Sequence, residues 1–198
     1  MKNNYELSRD RAQDYFLRFD QAAMIRQWQL PRDEPRLYVK LFGRRYAICR
    51  ETGRILRCWS GEQANYSEAL SIFDLLCHQG GEKRLSGEFA PVNSLNGRPV
   101  AGVGTDFYRT AAARFHRDEE SFYRACLELG GVPVEMGDLG FRFPLFAELE
   151  VILKYYRADE DFPASVTLLW DKNMLQFVYY ETVFYLAGCL LAAIEENM

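Results

Sequence analysis

Three consecutive carboxylates, Asp159, Glu160 and Asp161, are followed by Asp171 at the far end of a β-patterned stretch. Carboxylate oxygens are what a hard divalent cation takes as ligands, so Asp159, Glu160, Asp161 and Asp171 form a candidate metal set. Glu181 opens the next helical pattern, and with it the set would serve a metal-dependent enzyme or a metal-binding protein. The spacing works against this chemistry, because residues 161 and 171 fall near opposite ends of the strand expected over 164–170. Acidic residues ahead of Phe162-Pro163 also suit a solvated turn in which Asp side chains accept from nearby backbone N–H groups, and that is the preferred reading.

The remaining reactive residue types are sparse. Two histidines rule out a multi-histidine metal site by count. His78 and His116 both fall in the last turn of an expected helix, where a cation faces the negative end of the helix dipole. No serine or cysteine stands in a nucleophile elbow that would make either a catalytic base. If the turns at Gly43-Arg44 and Thr52-Gly53 each take two residues, Cys49 opposes Leu56 and Cys58 opposes Ala47. Both sulfurs then lie diagonally on one sheet face, as a redox or soft-metal pair or, more simply, packed under a helix. The glycines of Ala101-Gly102-Val103-Gly104-Thr105-Asp106 precede a helix but lack a dinucleotide or P-loop pattern, so no cofactor is indicated. An aspartate in the first turn would repel phosphate, which favours simple capping.

These residues must be positioned by a mixture of helices and strands. Tyr15, Phe16, Phe19, Ala22, Ala23 and Arg26 recur at helical spacing, predicting a helix over 8–28. Alternation then sets in, and residues 36–59 read as an antiparallel three-stranded meander. Asn65 with Glu68 resembles a capping box opening a helix that Gly80-Gly81 stops, within a helical middle over 64–130. Residues 82–103 read as an irregular connection, after which Thr105 and Asp118 cap two helices, the second stopped by Gly130-Gly131. Residues 139–170 return to strands, with Pro144 interrupting the stretch 141–146. The segments 148–157 and 164–170 are joined by a link too short for a parallel crossover, and a closing helix spans 180–196. The fold class is therefore α+β, an antiparallel sheet of two strand groups packed by helices in a single domain.

The totals set the outer limits. The chain has 198 residues, 48% of them hydrophobic and 15% aromatic, enough for one substantial core. A net charge of −4 makes nucleic acid an unlikely partner. The charge is unevenly placed, however. Residues 32–57 hold eight basic and three acidic side chains, whereas 135–198 hold four basic and eleven acidic ones, so a local anion-attracting hairpin is possible. The longest apolar run, Val183 to Ile194, is too short to cross a bilayer and reads as a buried helix. With no leader pattern after Met1 and five cysteines without a close pair, the expected location is the cytoplasm.

The run Ala158-Asp159-Glu160-Asp161-Phe162-Pro163-Ala164-Ser165, then Leu169-Trp170-Asp171 and a Glu181-led helix, resembles an uncharacterised bacterial family, domain of unknown function 3786. The Phe42-Gly43-Arg44-Arg45-Tyr46 hairpin, the Leu85-Ser86-Gly87 turn and the Gly137-Asp138 step resemble it as well. Ala158 replaces the family's usual glycine and Trp170 its usual phenylalanine. The resemblance implies boundaries and fold over most of 36–196, with no established activity. The functional expectation is a non-enzymatic binding or accessory module that presents a sheet face or a cleft to a protein or small molecule.

Overall fold

The computed structural model describes residues 4–79, 82–95 and 105–198. The helix expected over 8–28 is two helices, Asn4–Arg18 (α1) and Gln21–Trp28 (α2). Asp20 breaks them: its backbone is extended (φ −68°, ψ 91°) and its carboxylate accepts from Ala23 N–H at 2.9 Å, capping α2. The apolar spacing runs straight across this break, so periodicity alone joins the two.

Arg36–Leu41 (β1), Arg44–Cys49 (β2) and Ile55–Arg57 (β3) form an antiparallel sheet in that order. Leu41 pairs with Arg44, so the first turn is Phe42-Gly43, one residue before the expected Gly43-Arg44. Both turn residues have positive φ, 50° and 73°, as a type I′ hairpin requires. The tip is wedged into the rest of the molecule. Phe42 N–H donates to the Leu145 carbonyl at 3.1 Å. A Cβ on Gly43 would stand 2.7 Å from the Leu129 carbonyl oxygen. At the other end of the sheet, Gly53 closes the second turn against Gln13 of α1, whose carboxamide donates to the Thr52 carbonyl.

Tyr66–Cys77 (α3) opens with the expected capping box: Asn65 accepts from Glu68 N–H at 3.0 Å and Glu68 accepts from Asn65 N–H at 2.7 Å. Phe89–Pro91 (β4) and Val92–Leu95 (α4) follow, so part of the stretch expected to be irregular is an edge strand. Thr105–Arg117 (α5) and Glu119–Glu128 (α6) come next, and Asp118 caps α6 as expected. The Gly80-Gly81 stop and the glycines at 101–104 lie outside the described residues.

Val132–Pro133 (β5), Leu139–Phe146 (β6), Leu149–Tyr156 (β7) and Ser165–Asp171 (β8) complete a second antiparallel sheet, ordered β4-β8-β7-β6-β5. β7 pairs with β8 as expected, with Tyr155 opposite Val166. β6 runs through Pro144 by means of a register shift between Pro144 and Phe146, where the missing N–H is tolerated. After a 3-10 turn at Met174–Gln176, Tyr180–Asn197 (α7) closes the chain.

Alternation sorts each sheet into two faces. The rows Phe141, Leu153, Leu168 and Phe143, Val151, Trp170 form the inner face of the large sheet. Helices α5, α6 and α7 cover this core, with α3 on α7 and α1 on α3. The apolar run of α7 is buried as expected: Leu186, Leu190 and Ile194 are each 0% exposed. Among the described residues no helix is long and apolar enough to cross a membrane. The whole is an α+β arrangement around one continuous core.

The wedged hairpin tip makes a prediction. Gly43→Ala should destabilise the chain by roughly 1–3 kcal/mol, from left-handed strain plus the clash with Leu129. Gly61→Ala shares the positive φ (74°) but meets nothing within 4 Å, and should cost less. Equal shifts of the two urea midpoints would show that the tip is not wedged.

Candidate functional site

The small sheet turns Leu37, Val39, Leu41, Tyr46, Ile48 and Ile55 to the core. By the period of two, its other face carries Arg36, Tyr38 and Lys40 on β1, and Arg45, Ala47 and Cys49 on β2. Backbone bonds from Cys49 N–H to the Arg54 carbonyl (2.9 Å) and from Cys58 N–H to the Arg45 carbonyl (3.0 Å) add Arg54, Leu56 and Cys58. None of these strand positions is a carboxylate, although Asp33, just before β1, reaches the edge of the face. Arg36, Lys40, Arg45 and Arg54 are exposed, and none makes an ion pair among the described residues. The Arg45 guanidinium lies 4.0 Å from the centre of the Tyr38 ring, and the Tyr38 hydroxyl donates to Asp33 at 2.6 Å. That stack holds one cation in a defined place.

The inner basic residues of the same strands are spent on structure. Arg57 meets both oxygens of buried Glu68, at 3.1 and 3.0 Å from Nε, and Tyr46 donates to the same carboxylate at 2.8 Å. Burial, with Glu68 beside it, pushes the Tyr46 hydroxyl far above its ordinary value. Arg44 reaches the end of α7, pairing with Glu196 and donating to the Ala193 carbonyl at 3.1 Å and Asn197 Oδ1 at 3.0 Å.

This register corrects the cysteine geometry. The second turn takes four residues, 50–53, so Cys49 stands opposite Arg54 rather than Leu56, and Cys58 opposite Arg45 rather than Ala47. The thiols share a face but lie four residues apart along β2, about 13 Å at the usual strand rise. That face is solvent-facing, not packed under a helix. A hydrogen bond from the Thr52 side chain holds the Cys49 thiol below its ordinary value, whereas burial pushes Cys77 up to about 12.

The acidic residues are also separated. Asp159 accepts from Asp161 N–H at 2.9 Å and Phe162 N–H at 2.7 Å, closing an exposed turn before β8. Asp171, at the other end of β8, is 2% exposed. Its oxygens accept from Ser86 N–H, Ser86 Oγ–H, Gly87 N–H and Asn173 N–H at 2.8–3.1 Å. Burial opposes its charge, but the donors from Ser86, Asn173 and Gly87 prevail and hold the carboxyl below its ordinary value. Glu181 lines a separate cleft with Arg11, Tyr15, Asp74 and Tyr179. Among the described residues no group of three or more His, Cys, Asp or Glu is arranged to hold a metal ion. His78 lies against Asp74, Nδ1 to Oδ1 3.4 Å, under the Tyr179 ring, while His116 Nδ1 is 3.2 Å from the Tyr155 hydroxyl.

Asp171 instead fixes a loop. With Ser86 and Gly87 tied to it, and Arg84 held by Gln176 and Asn173, residues 83–85 border a cleft of about 630 Å³ against Trp28 and Phe177. A second cleft, of about 620 Å³, runs from Trp28 to Tyr38, Lys40 and Arg45 between β1 and the β6–β7 turn. The two meet at Trp28 and Ala147. Among the described residues the non-glycine positive φ angles are Gln29 (47°), Phe42 (50°) and Ala147 (49°). Gln29 and Ala147 line these clefts, and Phe42 precedes Gly43, which does. Strained backbone tends to collect at binding sites because only over-determined surroundings maintain it. Sequence reading located the basic segment by its charge excess but missed Trp28 and Lys83, which come together only through tertiary structure.

A family model described as Domain of unknown function (DUF3786) matches residues 20–193, and the chain belongs to that family. No curated protein and no solved structure matches the chain.

The two acidic positions should behave oppositely. Asp171→Ala strands three part-buried backbone donors and should cost about 2 kcal/mol. Because the folded pKa is depressed, the carboxylate's contribution is complete above about pH 4 and lost as pH falls through the folded value. Wild type should therefore lose stability on acidification more steeply than Asp171→Ala. Glu160→Gln should shift stability by no more than about 0.5 kcal/mol, and Mg²⁺ or Ca²⁺ should leave the melting of either chain unchanged. A saturable rise in wild type that the Glu160 variant lacks would make the acidic turn a cation site.

Proposed function

We propose that this member of the family is a binding module that docks an acidic segment of a partner protein on the outer face of its three-stranded sheet. The observation that carries this reading is the set of four exposed cations without ion pairs among the described residues, Arg36, Lys40, Arg45 and Arg54, on a face whose own strand positions hold no carboxylate. Like charges gathered on one surface repel one another, and the Tyr38 stack and nearby Asp33 offset only part of that cost. An anionic partner offsets more of it.

Single exposed ion pairs contribute little, about 0–1 kcal/mol each, so charge alone supplies attraction and orientation rather than tight binding. Apolar anchoring adds to it. Tyr38, Ala47 and Leu56 lie among the cations, and the adjoining cleft offers Leu30, Val39 and Phe146. An acidic segment bearing one bulky apolar residue matches both features. The outer face of the large sheet differs, since Arg142 there is paired with Glu150 at 3.5 Å. A net charge of −4 favours a protein partner over nucleic acid. Five free thiols support a reducing compartment such as the cytoplasm as the place of work.

The test uses poly-L-glutamate as probe. Wild type should bind it with an affinity that falls as salt rises. Arg45→Glu with Arg54→Glu should weaken binding at least tenfold, while Arg142→Glu with Lys154→Glu on the large sheet should leave it within a factor of two or so. Equal losses in both double variants, or tighter binding of single-stranded DNA than of polyglutamate, would contradict the proposal.

A further inference from the structure

The cleft bordered by residues 83–85 meets the one beside the cationic sheet face at Trp28 and Ala147, but it shares no residue with that face and has its own cation. Lys83 places its ammonium 4.7 Å from the centre of the Trp28 ring and has no ion pair among the described residues. Withdrawal from water lowers its pKa, and the charge of Asp74 offsets this only in part. The Trp28 indole N–H is likewise shut off from solvent without an acceptor in the protein. Lys83 and Trp28 thus stand together on the wall of one cavity. The apolar side chains Leu85, Leu149 and Phe177 line the same cleft. Glu148, the one carboxylate lining the cleft, is exposed at the β6–β7 turn. At about 630 Å³ the cleft matches the volume of sites for small organic molecules.

We infer that this cleft binds a small organic anion, its acidic group on Lys83 and its apolar body against Trp28, Leu85 and Phe177. The anion replaces the hydration that Lys83 has given up, and the apolar wall supplies the surface burial that a bare inorganic ion could not use. Positioning of the loop falls to Asp171, which fixes Ser86 and Gly87, and to Gln176 and Asn173, which hold Arg84. This explains a buried carboxylate whose oxygens are already occupied by donors: it shapes the cleft instead of binding the ligand.

Calorimetric titration of the full chain with 2-naphthoate, 1-naphthyl phosphate and the neutral 2-naphthalenemethanol tests the inference. At least one of the two anions should bind saturably with one site per chain, and the alcohol at least tenfold more weakly. Lys83→Met, which puts an uncharged side chain of similar length in the same place, should weaken the anion at least tenfold. Lys172→Met, at a lysine paired with Glu88, should not. Arg45→Glu with Arg54→Glu should leave anion binding intact, which separates failure of this site from failure of the sheet face. Absence of binding by both anions at millimolar concentration, or binding that Lys83→Met leaves unchanged in a folded chain, would overturn the inference.

Discussion

The arrangement depends on how the tip of the β1–β2 hairpin is seated. Phe42 and Gly43 adopt a turn that places a backbone N–H on Leu145 and brings the glycine against Leu129, where a side chain would not fit. The opposite turn is fixed on Gln13 of α1. A sheet held at both ends can bury one face only, and its apolar face goes inward. The other face is thereby left to solvent, and the space between β1 and the β6–β7 turn becomes the cleft beside it.

Strand parity then decides the role of each basic residue. Arg44 and Arg57 fall on the inner side and are consumed by Glu196 and Glu68, tying the small sheet to α7 and α3. Removing one partner of the buried Arg57–Glu68 pair leaves an uncompensated charge, so that pair specifies the arrangement even where its net stabilisation is modest, while the half-exposed Glu196 makes the Arg44 pair weaker in this respect. Arg36, Lys40, Arg45 and Arg54 fall on the other side and make no ion pair among the described residues. The same composition that reads as one basic segment therefore contains a structural half and an exposed half without ion pairs among the described residues.

Much of this was legible in the sequence. Alternation located both strand groups, which form two sheets rather than the single sheet expected, the short link at 158–163 fixed the β7–β8 pairing, and the caps at Asn65 and Asp118 announced α3 and α6. The failures have physical causes. Helical spacing persists through Asp20, so the break before α2 was hidden although its cap residue was visible. Phe89–Pro91 is too short to show alternation. Cys49 and Cys58 were misplaced because the turn over 50–53 uses four residues, and register error passes to every later pair. The charge excess over 32–57 marks the segment that the proposed docking face draws on, while Asp159 closes a turn and Asp171, at the other end of β8, holds the loop at Ser86 and Gly87. The Trp28 cleft, assembled from four separated segments, leaves no local pattern to read.

Amide NMR of the labelled chain titrated with a short peptide of glutamates around one phenylalanine would test the docking account most directly. The account predicts shift changes concentrated on β1, β2 and β3 and on the residues around Trp28 and Phe146, saturating together and weakening as salt is raised. Changes centred on the outer face of the large sheet, or spread evenly over the surface, would contradict it.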